Sequence, residues 1–154
     1  MGPTNNLSYL LEHLSAVLGK QTDQVLQEQL GIGVSQFKIL MILEQTPRVQ
    51  QKVIADSLGQ TEASISRQLK LLQTKGLVGL WIDPTNRRKH VVIPTQMGIQ
   101  ITDAATAIIR RSFGPDFSSL GEDQLMQLIT GLQRLHTIIC KPGNPGACDH
   151  PLGL

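Results

Sequence analysis

The run Arg87-Arg88-Lys89 follows Asp83-Pro84-Thr85-Asn86 and lies between two apolar stretches, residues 77–82 and 90–93. Asp-Pro and Thr-Asn form turns. The pattern therefore predicts two strands joined by a loop over 83–89, with positive charge gathered at its tip. Guanidinium and ammonium groups held in this way neutralise phosphate, and arginine pairs with it in a planar fork. A second set of small, polar and cationic residues stands upstream in "QTEASISRQLKLLQTKG": Thr61, Ala63, Ser64, Ser66, Arg67 and Lys70. Small side chains there would let a backbone come close to a polyanion, and Arg67 and Lys70 would reach guanine acceptors or phosphates.

The charge balance points the same way. Formal net charge is +2 over 154 residues, but its distribution is uneven. Residues 48–89 hold eight cations against three anions, and the rest of the chain holds six against nine. A basic middle between acidic ends is the footprint expected for a polyanionic partner, although a solvated surface would carry the same charges. One Trp, one Tyr and three Phe are too few for a platform that stacks single-stranded bases. No Ser-His-Asp arrangement, metal-ligand cluster, phosphate-cradling glycine loop or paired carboxylates stand out, so neither an enzyme nor a cofactor is expected. No apolar run approaches the ~18 residues of a membrane helix, and "MGPTNN" does not start a secretory signal, so a cytoplasmic protein is expected.

Elements that could position these residues follow from periodicity and punctuation. Residues 7–30 read as one long helix, capped by Asn5 or Asn6 and ended by Gly31 and Gly33. "VSQFKILMILEQT" is a second helix with Ser35 as its N-cap, stopped by Pro47. "VQQKVIADSLG" is a third, with Val53, Ile54 and Leu58 inward and Gly59 closing it. A fourth starts at the N-cap Thr61, buries Ile65, Leu69 and Leu72, and ends at Lys75-Gly76. Two short helices about three residues apart around a glycine form a helix-turn-helix, and the strand pair after them makes it a winged helix. Thr95 caps a further helix that Gly114-Pro115 breaks, and "GEDQLMQLITGLQRLHTIIC" is the last. Its apolar residues Leu125, Leu128 or Ile129, Leu132, Leu135 or His136, and Ile139 recur about every 3.5 residues, a stripe that seeks a partner. The fold class is mostly α with a small β-hairpin wing. Its winged helix-turn-helix lobe spans 34–94, flanked by helical regions at 5–33 and 95–140. The Pro/Gly-rich tail, 141–154, reads as disordered.

Over roughly residues 33–109 the sequence resembles the MarR family of bacterial winged-helix transcription regulators. The resemblance rests on "QFKIL", "IADSLGQTEASISRQLKLLQTKGLV" and "DPTNRRKHVVIPTQMG" in that order. It implies a homodimer whose first and last helices interlock, so 5–33 and 95–140 become the dimerisation region. Two lobes would then read double-stranded DNA at a palindromic operator, as a repressor open to a small-molecule effector. By position in the motif, Thr61, Ala63, Ser64, Ser66 and Arg67 match the start of the recognition helix, and Arg87 and Arg88 match the wing arginines. Asp83 matches the acidic residue that orients those arginines. Gln50 and Gln51 open the preceding helix, where backbone N–H groups meet phosphate. Lys70 and Lys89 join them by charge and face alone. Glu62 and Pro94 depart from the family pattern; Glu62 bears on affinity or base preference, whereas Pro94 should not affect binding.

Competing readings attach to several residues. His13, His90 and His136 fit ordinary surface or interface positions better than ligand roles, and Trp81 fits packing. Residues near Phe37 or His13 are candidates for lining a small-molecule pocket. Cys140 and Cys148 could make the chain a redox- or metal-responsive regulator. Against this, a helix C-terminus has the wrong dipole sign for a thiolate, and Cys148-Asp149-His150 lacks a full zinc ligand set. The remaining alternative is a winged-helix interaction module that binds no DNA, for which the recognition face or wing would be expected to lack cations.

Overall fold

The computed structural model describes residues 2–141 and 143, apart from the side chains of Pro3 and Arg88. Cys148 and the rest of the expected disordered tail, apart from residues 141 and 143, lie outside the described residues. The chain runs α1 (Pro3–Leu30), α2 (Val34–Gln45), β1 (Val49–Gln50), α3 (Gln51–Leu58), α4 (Glu62–Thr74), β2 (Val78–Asp83), β3 (Asn86–Pro94), α5 (Gln96–Ser118) and α6 (Glu122–Ile139). The strands form one antiparallel sheet in the order β1-β3-β2. This is a mostly helical winged-helix fold, as the sequence pattern predicts.

One core serves the lobe. Ile39, Leu40 and Leu43 of α2, Ile54 and Ala55 of α3, Ile65, Leu69 and Leu72 of α4 and Val92 of β3 are buried together. Leu26 of α1 and Ala105 and Ile108 of α5 join them. Removing a side chain such as Leu69, which is 1% exposed, would cost about 2–5 kcal/mol. The α6 helix contributes no buried residue.

Several boundaries differ from expectation for identifiable reasons. The first helix starts at Pro3, because proline is preorganised for the first helical position; Asn5 and Asn6 lie inside the helix, and Gly2 is its N-cap. The N-cap of α2 is Gly33, not Ser35. Asp23 of α1 supplies the missing acceptor, taking the Val34 N–H at 2.8 Å, so the cap comes from another helix eleven residues away. Proline does not end α5: the helix continues through Pro115 to Ser118. Pro115 removes the N–H that would meet the Arg111 carbonyl, but both residues are exposed, so water can satisfy that oxygen. The strand β1 was not expected, since two residues are too few to show alternation. It pairs Val49 with Val92 and Gln50 with Val91.

The cap at Thr95 forms as expected: its hydroxyl accepts from Gly98 N–H at 3.0 Å and donates to the Gly76 carbonyl at 2.6 Å. Thr95 N–H also meets the Leu77 carbonyl at 3.1 Å. Gly98 packs so closely there that an added Cβ would lie 2.1 Å from the Leu77 oxygen. These contacts join the start of α5 to the base of the wing.

Candidate nucleic-acid interface

The turn between α3 and α4 is built by Gly59. Its positive φ of 60° places its own N–H on Asp56 O and the Gln60 N–H on Ala55 O, a left-handed helix end that suits glycine. Thr61 then accepts from Ser64 N–H at 3.1 Å and starts α4. Ala55, 1% exposed, lies where the two helices meet. With Ile65, Leu69 and Leu72 buried, the opposite face carries Ala63, Arg67 and Lys70, all exposed and spaced four and three residues apart. Neither Arg67 nor the Lys70 ammonium has a hydrogen-bond or ion-pair partner among the described residues, so both heads are available to a ligand.

The wing differs in detail from the expected loop. The turn at its tip is tight: Asp83 pairs with Asn86 and β3 begins there, so Arg87, Arg88 and Lys89 belong to the strand segment. Ile82 pairs with His90, one step from the Asp83–Asn86 pair. The three cations therefore have no facing residue on β2 and are extruded as a bulge. Bulges of this kind re-aim side chains at sheet edges. His90 sits at its base, with Nε2 3.1 Å from the Arg87 carbonyl oxygen, so the ring donates to it. Arg87 and Lys89 are exposed; the Arg88 side chain lies outside the described residues.

Asp83 holds the turn. Its Oδ1 accepts from the Thr85 hydroxyl at 2.6 Å and from the Thr85 N–H at 2.9 Å. Those bonds, the Thr85 hydroxyl first, hold its carboxyl below the usual carboxylate range, with smaller help from Lys89 and the Asn86 N–H. Asp83 thus orders the tip from which the bulge departs, through Thr85.

Elsewhere the candidate residues divide. Gln50 is the exposed N-cap of α3, and the Gln51 amide donates to the Glu62 carbonyl at 3.4 Å, tying the start of α3 to the start of α4. Gln50, Gln51, Lys52, Glu62 and His90 line an open depression of about 240 Å³ between the two helix starts and the bulge. Ser64 and Ser66 are half-buried, and the Ser64 hydroxyl donates to Gln60 Oε1 at 3.3 Å. Cys140 caps the C-terminus of α6, half-buried and away from the cationic set in the chain. Among the described residues no three His, Cys, Asp or Glu side chains cluster as metal ligands, and no helix is long and apolar enough to cross a membrane.

His90 and Gly98 were not legible as part of this arrangement. A three-residue bulge breaks strand alternation, so only the position of a histidine directly after the cations could have hinted at His90. Gly98 lies inside a helical pattern, where a glycine out of keeping with helix propensity was the available signal.

A family model described as the MarR family matches residues 30–89. No curated protein matches the chain in sequence. Solved structures match over most of its length. A MarR-family transcriptional regulator from Rhodococcus sp. RHA1 superimposes with a TM-score of 0.76 at 23% identity, covering 88% of this chain and 95% of that one. MepR of Staphylococcus aureus, solved as a DNA complex, gives 0.72 at 27% identity, covering 86% and 96%. CouR from Rhodococcus jostii RHA1, solved bound to p-coumaroyl-CoA, gives 0.71 at 23% identity, covering 88% and 94%. The chain carries the MarR-family sequence pattern over residues 30–89 and the winged-helix fold of that family's transcriptional regulators over most of its length.

Proposed function

We propose that this chain is a sequence-specific, double-stranded DNA-binding transcriptional regulator, not an enzyme. It acts as a homodimer on a palindromic operator, as a repressor released by a small-molecule effector. The observation that carries the reading is the pairing of two cationic features on one lobe: the unpartnered Arg67 and Lys70 on the outer face of α4, and the extruded Arg87–Lys89 bulge. In a helix-turn-helix the second helix enters the major groove with its N-terminal residues on base edges. Thr61, Ala63, Ser64, Ser66 and Arg67 would lie there, with Lys70 on phosphate. Arg87, Arg88 and Lys89 would reach the backbone and the minor groove, whose negative potential suits arginine. Gln50 and Gln51 would offer the first N–H groups of α3 to a phosphate, and Asp83 would order the wing tip. MepR, at 27% identity, is solved with DNA, which supports the same activity here.

The homodimer reading is supported by what the lobe leaves uncovered. On α1, Leu7, Leu10 and Leu14 are 46, 43 and 51% exposed; on α6, Leu128, Leu132 and Ile138 are 51, 39 and 60% exposed. Leu7, Leu128, Leu132, Leu135 and Ile138 line a mostly apolar groove of about 400 Å³. Apolar surface on this scale marks an interface, and α1 and α6 of a second copy would cover it. That makes 5–33 and 95–140 the dimerisation region around the 34–94 lobe. CouR, which shares the fold, holds an acyl-CoA; release of DNA by an effector is the part of the proposal to be found by screening.

Selection from a random pool of duplexes tests the reading. Recovery of a two-fold symmetric site, bound by a dimer and released by one or more compounds in a screen, is the expected result. No enriched sequence after repeated rounds would move the interaction-module reading into first place.

A further inference from the structure

Lys75, which closes α4, reaches across the lobe to α1 and α2. Its ammonium donates to the carbonyl of Gly31, the C-cap of α1, and to Gln36 Oε1 at 3.2 Å. The Gln36 amide donates to Gln68 Oε1 on α4 at 3.3 Å, and Gln36 Oε1 also takes the Gly33 N–H at 3.4 Å. Gln36 is 5% exposed, one of two buried polar residues among the described residues, in a core otherwise apolar. Positions 68 and 75 are two turns apart on one face of α4. One side chain of α2 thus grips the recognition helix at two points, and the same ammonium ties that helix to the negative end of the α1 dipole.

Apolar packing beneath α4 is non-directional and tolerates rotation and sliding more readily than hydrogen bonds do. A satisfied polar network favours one arrangement, and here an alternative would strand the buried Gln36 amide, although Lys75 and Gly31 themselves are exposed. Lys75 itself lies about 18 Å along the helix from Ala63, measured at 1.5 Å per residue, so it is remote from the base-reading end.

We propose that Lys75, Gln36 and Gln68 form a positioning joint that sets the angle of the recognition helix against α1. In a dimer built on α1 and α6, that angle sets the distance between the two recognition helices, and so the half-site spacing the protein accepts. The inference rests on the DNA-binding homodimer reading above.

Two readouts test it. The first is the affinity of wild type, Lys75→Met, Gln68→Leu and Lys75→Arg for duplexes with the selected half-sites at their own spacing and with one base pair added or removed. Helix-turn-helix dimers read half-sites about one helical turn apart, so one base pair is a real displacement. Wild type prefers its own spacing. Lys75→Met and Gln68→Leu lose roughly two- to thirty-fold of that preference, with an unchanged salt slope, and Lys75→Arg recovers it. An unchanged spacing preference in both variants overturns the proposal. So does a uniform loss of affinity with the slope reduced by about one phosphate, which would make Lys75 a DNA contact. If Lys75→Met melts far below wild type, Gln68→Leu, at a half-buried site, carries the same decision.

The second readout needs no DNA: the spin–spin distance between labels at Gln73→Cys on the two protomers, with Cys140 and Cys148 replaced by Ser. A narrow distribution that broadens or shifts with Lys75→Met supports the joint even if wild type binds no DNA, in which case only the functional reading fails. Identical distributions overturn the joint whatever the DNA result.

Discussion

Helices α4 and α6 carry apolar stripes of similar spacing, yet the chain treats them in opposite ways. Ile65, Leu69 and Leu72 of α4 are at most 1% exposed, whereas Leu128, Leu132 and Ile138 of α6 are 39–60% exposed. The outer face of α4 is cationic and unpartnered; α6 has its apolar face unpartnered instead. A stripe in sequence states only that a helix needs a partner. Which partner it finds depends on whether the rest of the chain can reach it. For α4 the partners are α2, α3 and the sheet. For α6 the structure offers α1 and α5 over part of its length and leaves the remainder exposed, the surface that the proposed dimer would cover.

The largest effect expected from this contrast is on folding of the lobe. Leu69→Ala should cost about 2–5 kcal/mol in denaturant unfolding, because a buried side chain leaves a cavity. Leu132→Ser should leave the unfolding of a dilute protomer nearly unchanged while shifting sedimentation from dimer to monomer. A comparable folding cost for both would erase the distinction between the two helices. Next is the joint between wing and α5. Gly98→Ala places a Cβ on the Leu77 carbonyl and should cost about 1–3 kcal/mol by the same measurement. Little change would mean that α5 can pull away from Leu77 at low cost.

On the outer face of α4 the effect should move from stability to binding. Arg67→Ala should leave unfolding within about 0.5 kcal/mol of wild type, as an unpartnered surface residue does. It should weaken operator binding by about 1–3 kcal/mol and relax base preference at one position, read by anisotropy on a set of substituted duplexes. Equal losses on all duplexes would assign Arg67 to phosphate instead.

The smallest expected effect is at the wing tip. The Asp83 carboxyl titrates lower in the folded chain than in the unfolded one, because Thr85 donates to its charged form. Its contribution is therefore fully present above the unfolded value, roughly pH 4, and is lost as pH falls through the lower folded value. Asp83→Asn should flatten the pH dependence of unfolding slightly in that acid window and lower stability by the same small amount at pH 7, where the contribution is fully present. A difference from wild type that persists unchanged below that window would point to a role other than the charged carboxylate.

The elements that were legible in sequence were those with local causes. Thr61 and Thr95 cap helices through their own third residue, Gly59 makes its own turn, and Ile65, Leu69 and Leu72 share a face by spacing alone. The cationic wing was legible as charge between strands. Its geometry was not, because a bulge depends on the register of the facing strand: only the pairing of Ile82 with His90 and of Asp83 with Asn86 extrudes the arginines. The cap of α2 was misplaced at Ser35 because the acceptor comes from Asp23 on another helix. The polar joint at Gln36 was hidden for the same reason, its partners lying 32 and 39 residues away. Pro115 shows the converse: a strong local breaker fails when the carbonyl it strands is exposed to water.

If the cations of α4 and of the wing serve double-stranded DNA read by a dimer, as proposed, binding itself shows it. The experiment is anisotropy titration of the purified protein onto a duplex from its own upstream promoter region and onto a scrambled duplex, each at two salt concentrations. Tight binding to the first that falls steeply with salt, as counterions are released from several phosphates, and much weaker binding to the second are expected. Equal affinity for both duplexes, or binding indifferent to salt, would overturn the DNA-binding reading.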